Sequence, residues 1–143
     1  MPVRGRGIDL DTLYFARASI TSPVNTTATS SATATLLLGT GQFTLEGPTT
    51  CLIEVFAASI TKGTTNIDLE LWEGSTTFLA ALSGHLAANV TLPGAQLTSV
   101  QLLSGGNHNL TVRGFVDAGT GTLGAGTGAT GQSPPSTIVV SPV

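Results

Sequence analysis

The sequence predicts an all-β fold, an antiparallel β-sandwich of jelly-roll type, and three observations carry that expectation. Short apolar segments recur from residue 32 onward at the spacing of sandwich strands, with Gly, Thr, Ser and Asn between them. No long stretch shows an apolar stripe of helical period. The connections are also too short for parallel crossovers, so neighbouring strands should run antiparallel.

In chain order, "ATATLLL" (32–38) places Ala32, Ala34, Leu36 and Leu38 on one face, and Gly39 and Gly41 then turn the chain. "TCLIEVFAASI" (50–60) is apolar on both faces apart from Glu54, the pattern of a central strand. After the turn "KGTT", "NIDLELWEG" (66–74) alternates, with Ile67, Leu69 and Leu71 inward and Asp68, Glu70 and Trp72 outward. "TTFLAAL" (76–82), "HLAANVTL" (85–92), "LTSVQLL" (97–103), "NLTVRGFV" (109–116) and "STIVV" (136–140) complete the set. Residues 31–143 thus form the sandwich, with a Gly-rich loop at 117–133. Residues 1–30 read as an extended N-terminal arm or as an edge element covering the chain's own core.

Only 9% of the 143 residues are charged, 18 are Gly, and roughly a quarter are Ser or Thr. A surface so poor in charge suits a protein packed against copies of itself or against another protein. The net charge of −3 offers no electrostatic basis for binding nucleic acid. No apolar run has the length of a signal core or a membrane span, so the expected site of synthesis is a cytoplasm and no membrane partner is expected. The single cysteine, Cys51, sits in an apolar run and reads as a small buried hydrophobe.

The segment "GTGTLGAGTGATGQ" (119–132) contains the spacing G-x-G-x-x-G twice. A dinucleotide fingerprint needs a helix after the glycines, whose amides face the pyrophosphate. Here Pro134 and Pro135 follow and exclude a helix start with free donors, so the segment reads as a loop between strands. No cofactor is expected.

Asp68, Glu70 and Glu73 are the one acidic cluster, but neighbours on one strand face point the same way and cannot flank a scissile bond. Asp117 with the glycines after it is a softer candidate for calcium, against a solvated strand face or an intersubunit ion pair with Arg113 or Lys62. His85 and His108 lack the spacing of a zinc site or a catalytic triad and read as rim residues. No catalytic residue is assigned and no enzyme activity is expected. Trp72 beside Asp68 and Glu70 could stack on a sugar ring or anchor an interface.

The run "SATATLLLGTGQFTLEGPTTCLIEVFAASI", the phrase "LLSGGNHNLTVRGFVDAGTG" and the final "PPSTIVVSPV" resemble small virion proteins of tailed bacteriophages, in particular capsid decoration (cement) proteins and fibre head domains. The resemblance implies a β-sandwich, often a homotrimer, that sits on the capsid and clamps neighbouring subunits, with the major capsid protein or another virion protein as partner. Arg4 and Arg6 are then expected to pair with acidic capsid surface, with Ile8, Leu10, Leu13, Tyr14 and Phe15 as apolar anchors. The alternative is a receptor- or carbohydrate-binding head domain that uses Asp68, Glu70 and Trp72.

Overall fold

The computed structural model describes residues 14–86 and 91–143. The strands among them are β1 (Ala16–Ile20), β2 (Val24–Thr26), β3 (Thr35–Gly39), β4 (Phe43–Leu45), β5 (Thr49–Thr61), β6 (Ile67–Glu73), β7 (Thr77–Leu86), β8 (Thr91–Leu103), β9 (Gly106–His108), β10 (Leu110–Val116), β11 (Gly121–Gly124) and β12 (Ser136–Pro142). The only helical element described is a single 3-10 turn at Ser31–Thr33.

The first sheet is built on β5, which carries apolar residues on both faces and takes a central place. β8 runs antiparallel along one side of it from Thr49↔Leu103 to Thr61↔Thr91. Two strands lie end to end on its other side, β12 against residues 51–56 and β11 against residues 59–61. β1 pairs with β12, and β2 with β11. Thus β1 and β2 form one strand interrupted at 21–23, and β11 and β12 form another interrupted by 125–135. The second sheet has the order β3-β10-β6-β7, and β4 pairs with β9 in a short ribbon.

Counting each interrupted pair once, eight strands fill the two sheets. The first sheet holds them in the order first, eighth, third, sixth; the second in the order second, seventh, fourth, fifth. All ladders are antiparallel. This is jelly-roll connectivity, as the sequence predicts.

The core lies between the sheets, where alternate side chains meet: Ile53 and Val55 of β5, Ile138 and Val140 of β12, Ile67, Leu69 and Leu71 of β6, and Leu110, Val112 and Val116 of β10 are fully enclosed. Each such side chain contributes roughly 1.5–3 kcal/mol on leaving water. Cys51 is enclosed with them, as expected, and burial pushes its thiol pKa up.

Several elements differ from the sequence expectation. Leu36 is not inward; a register shift between Val112 and Arg113 turns it out to 48% exposure, while Leu37 and Leu38 enter the core. The three expected strands at 76–82, 85–92 and 97–103 are two long ones, β7 and β8. Within the segment read as an arm or an edge element, Ala16–Ile20 and Val24–Thr26 are the sheet-edge strands β1 and β2. Ala32, expected in a strand, lies in the 3-10 turn.

The Gly-rich segment contains β11 followed by an excursion that folds back on itself, with Gly126 N–H donating to the Pro134 carbonyl and Gly128 N–H to the Ser133 carbonyl. At its base the Ser136 hydroxyl donates to the Gly124 carbonyl at 2.6 Å and accepts from Ala58 N–H. Gly121 is there because a Cβ would meet Val116 Cγ1 at 2.6 Å and Ile67 Cδ1 at 2.9 Å. Its role is packing over the core, and no helix follows the glycines.

Candidate functional site

The sequence points first to Asp68, Glu70 and Trp72 on the outward side of β6. The pleat does place them there, but the face is covered. Residues 27–34 run across it: Ala28 carbonyl accepts from Val116 N–H, Arg113 Nη1 donates to the Ala34 carbonyl at 3.4 Å, and Ser31 Oγ donates to Glu70 Oε1 at 2.7 Å. Thr26, 1% exposed, pins the start of this crossing by donating to the Gly114 carbonyl. Asp68 and Glu70 are consequently buried.

The same Glu70 oxygen accepts from Trp72 Nε1 at 3.0 Å, and the indole stands edge-on to Phe78, with ring centroids 6.0 Å apart. The polar edge of Trp72 is therefore used inside the protein. Asp68 and Glu70 therefore do not form an open glycan face: both are buried, and the Ser31 and Trp72 donors offset the burial of the Glu70 carboxylate. Within the chain the Arg113 guanidinium donates to the backbone carbonyls of Gly74 and Ala34.

The other polar residues also have structural partners. Asp117 accepts from the backbone N–H of Thr65 and Asn66, at 2.9 and 3.1 Å, and these bonds hold its carboxyl well below the usual range. Lys62 donates to the Thr64 carbonyl. Among the described residues no three of His, Cys, Asp and Glu gather as a metal-ligating group.

His108 is not a loose rim residue. It is 7% exposed, with Nδ1 2.6 Å from Glu73 Oε1 and Nε2 2.7 Å from the Ser104 carbonyl. Glu73 also accepts from Asn109 N–H through Oε2 at 2.8 Å. Burial pushes the His108 pKa down, but the hydrogen bonds to Glu73 and Ser104 and the Glu73 charge outweigh it and raise the value. Glu73 and His108 are 35 residues apart, so only the β6–β10 pairing brings them together.

The surface left open is the outer face of the first sheet. Registers across its four strands align three rows: Arg17, Val139, Glu54 and Thr98; Ser19, Thr137, Phe56 and Gln96; and, from β12 to β8, Ser141, Leu52 and Val100. A shallow cavity of about 300 Å³ lies among Arg17, Glu54, Phe56, Gln96, Thr137 and Val139.

The other end of this face is apolar. Phe15 N–H extends the β1 ladder by donating to the Val140 carbonyl, and its side chain is 39% exposed. Val100 and Leu102 are 58% and 73% exposed, and Val143, whose N–H donates to the Thr50 carbonyl, is 78% exposed. Four of the six large hydrophobics left exposed among the described residues thus belong to this sheet or its end; Leu36 and Phe78 belong to the other. Arg17 and Glu54 give the face one charge of each sign.

Of the expected arm anchors, Tyr14 is half-buried and Phe15 borders this face. Arg4, Arg6, Ile8, Leu10 and Leu13 lie outside the described residues. Sequence reading missed Phe56, Val139, Val100 and Leu102. Their signal was alternation within apolar strands, which separates two faces without saying which is covered.

The fold and this face define a jelly-roll β-sandwich with one sheet face uncovered. No known family profile and no curated protein matches the chain. Solved structures similar to it include the pre-peptidase C-terminal domain of a Bacillus anthracis collagenase, at 11% identity over 73% of this chain and 88% of that one, with a TM-score of 0.30. A chain in the structure of the infectious bursal disease virus Gx strain is 10% identical, covers 99% of this chain and 41% of its own, and gives a TM-score of 0.45. The globular domain of zebrafish complement 1qA protein is 12% identical over 87% of this chain and 94% of its own, with a TM-score of 0.37. At these scores the likenesses assign no function.

Proposed function

We propose that this chain is a virion structural protein of the capsid-decoration type, which binds an assembled lattice and stabilises it, and which acts through binding rather than catalysis. The observation that carries the reading is the outer face of the first sheet: four strands wide, nearly uncharged, and bordered by exposed Phe15, Val100, Leu102 and Val143. Monomeric soluble proteins seldom leave contiguous apolar surface without a partner. The resemblance of the sequence to small phage virion proteins supplies the kind of partner, the major capsid protein or another virion protein, and the virion as the location.

A protein that binds the assembled shell but not its free subunits stabilises the shell by linkage, and many copies on one lattice add their effects. Low charge favours close packing on such a surface. Arg4, Arg6, Ile8, Leu10 and Leu13 remain the expected arm contacts in this reading.

The test is cosedimentation with the parent virus particles stripped of this protein. Wild type should pellet with particles, and Phe15→Asp combined with Val139→Asp should stay in the supernatant while keeping its β-sheet circular dichroism. Removal of residues 1–13 tests the arm without touching β1. Equal pelleting of the double variant and the wild type would remove the sheet face from the reading. A glycan that binds with loss on Phe56→Ala would replace it with the carbohydrate-binding alternative, now placed at the cavity rather than at Trp72.

A further inference from the structure

A sheet edge exposes a row of unpaired N–H and C=O groups, and proteins that stay monomeric blunt such edges with short strands, bulges, proline or charge. Three of the four edges in this jelly roll are blunted. The β1–β2 edge is broken at 21–23, where Pro23 lacks an N–H. β3 is five residues long and joins β10 through a register shift. β7 joins β6 through three register shifts.

The β8 edge is different. β8 spans thirteen residues, and among the described residues it pairs with β5 alone. From Ala95 to Leu103 its ladder with β5 runs through nine consecutive pairs without a shift. No residue from Thr91 to Leu103 is charged, and Val100 and Leu102 project from it into solvent. A regular, uncharged edge of this length is a template for another strand.

We infer that the β8 edge pairs antiparallel with β8 of a second copy of this chain, joining two first sheets into one continuous sheet across a two-fold axis. The strand is suited to its own copy because an uncharged sequence sets no like charges opposite each other in any self-register. A two-fold contact also consumes both β8 edges at once and leaves none to propagate, whereas an unrelated strand added to β8 would present its own far edge. Pro93 and Gly94, with φ of 62° at Gly94, end the regular run at its N-terminal side. The register that uses all of 95–103 has Ser99 on the axis, so that Gln96 faces Leu102 and Thr98 faces Val100 of the other copy. That arrangement brings Val100 and Leu102 of both copies into one apolar band at the centre of the joined sheet.

This inference does not depend on the virion reading, because it is tested without particles. Light scattering on the full chain should give twice the chain mass; the resemblance to decoration proteins implies three times. Gln96→Lys with Leu102→Lys places lysine opposite lysine twice in the Ser99-centred register, and the mass should halve while circular dichroism is unchanged. Mixing that variant with Gln96→Glu plus Leu102→Glu should restore the doubled mass as a heterodimer. If that variant fails to fold, Thr98→Lys with Val100→Lys, at the other pair of facing, exposed positions, again places lysine opposite lysine twice and gives the same reading. A monomeric wild type, a trimer, or a lysine variant that keeps the wild-type mass overturns the inference.

Discussion

Glu73→Gln should convert a pH-dependent contribution to stability into a nearly pH-independent one. In the folded chain both ring nitrogens of His108 face acceptors: Nε2 faces a backbone carbonyl, which accepts only, and Nδ1 faces the Glu73 carboxylate. Both bonds form together only when both nitrogens carry protons, so the fold favours the imidazolium. The folded pKa of His108 is raised above its unfolded value of about 6.5. A raised pKa means that the folded state binds the proton more tightly; the stabilisation is complete below the unfolded pKa and is lost as pH rises through the folded pKa. A buried hydrogen bond between charged groups contributes about 1.5–3 kcal/mol. Glu73→Gln should therefore lower stability by about that amount near pH 5.5, or roughly 3–10 °C in melting temperature, and by clearly less near pH 9.

Urea unfolding of wild type and variant at the two pH values measures the difference directly. An NMR titration of the imidazole protons follows the proton itself: His108 should titrate above the ordinary range in the wild type and below it in the variant, where burial acts without the Glu73 charge. An equal loss of stability at both pH values, or a His108 pKa at or below the ordinary range in the wild type, would refute the imidazolium assignment.

Gly121→Ala drives a methyl group into Val116 and Ile67, so it should destabilise by about 1–3 kcal/mol in urea unfolding, with no change in any nucleotide affinity. Ser31→Ala removes a hydroxyl donor from buried Glu70 and should cost about 1–3 kcal/mol, read as a lower urea midpoint at unchanged slope. Asp117→Ala frees the N–H groups of Thr65 and Asn66, and hydrogen exchange at those two amides should speed up. In the wild type, where the Asp117 pKa is depressed, the same protection should persist above the unfolded pKa and fade only in strong acid. Cys51, fully enclosed, should react with a thiol reagent only at the rate of unfolding.

The elements legible in the sequence were those whose side chains meet the core in a regular pattern. β5, β6, β10 and β12 announce themselves through Ile53, Val55, Leu69, Leu71, Val112 and Ile138, because a strand buried on one or both faces needs apolar residues at fixed spacing. β2, β4, β9 and β11 were missed: they are three or four residues long, and their Thr, Asn and Gly content matches that of the turns around them. Leu36 was misplaced because a bulge inverts the alternation after it, and bulges leave no compositional mark. The candidate site failed for a different reason. Alternation put Asp68, Glu70 and Trp72 on the correct side of β6, but what covers that side is residues 27–34, some forty positions earlier in the chain. The pairing of His108 with Glu73 is likewise a product of register between β6 and β10 rather than of local spacing.

The split between β11 and β12 gives the molecule a natural port for foreign sequence. The two strands resume on the same track beside β5, and the Ser136 hydroxyl closes the base of the excursion on Gly124. The closure of a loop grows costlier only with the logarithm of its length, so a chain already interrupted here accommodates a longer passenger for a fraction of a kcal/mol per doubling, about 0.6. A peptide carried between Gly126 and Ser133 would emerge from a framework that already resumes its strand on the far side.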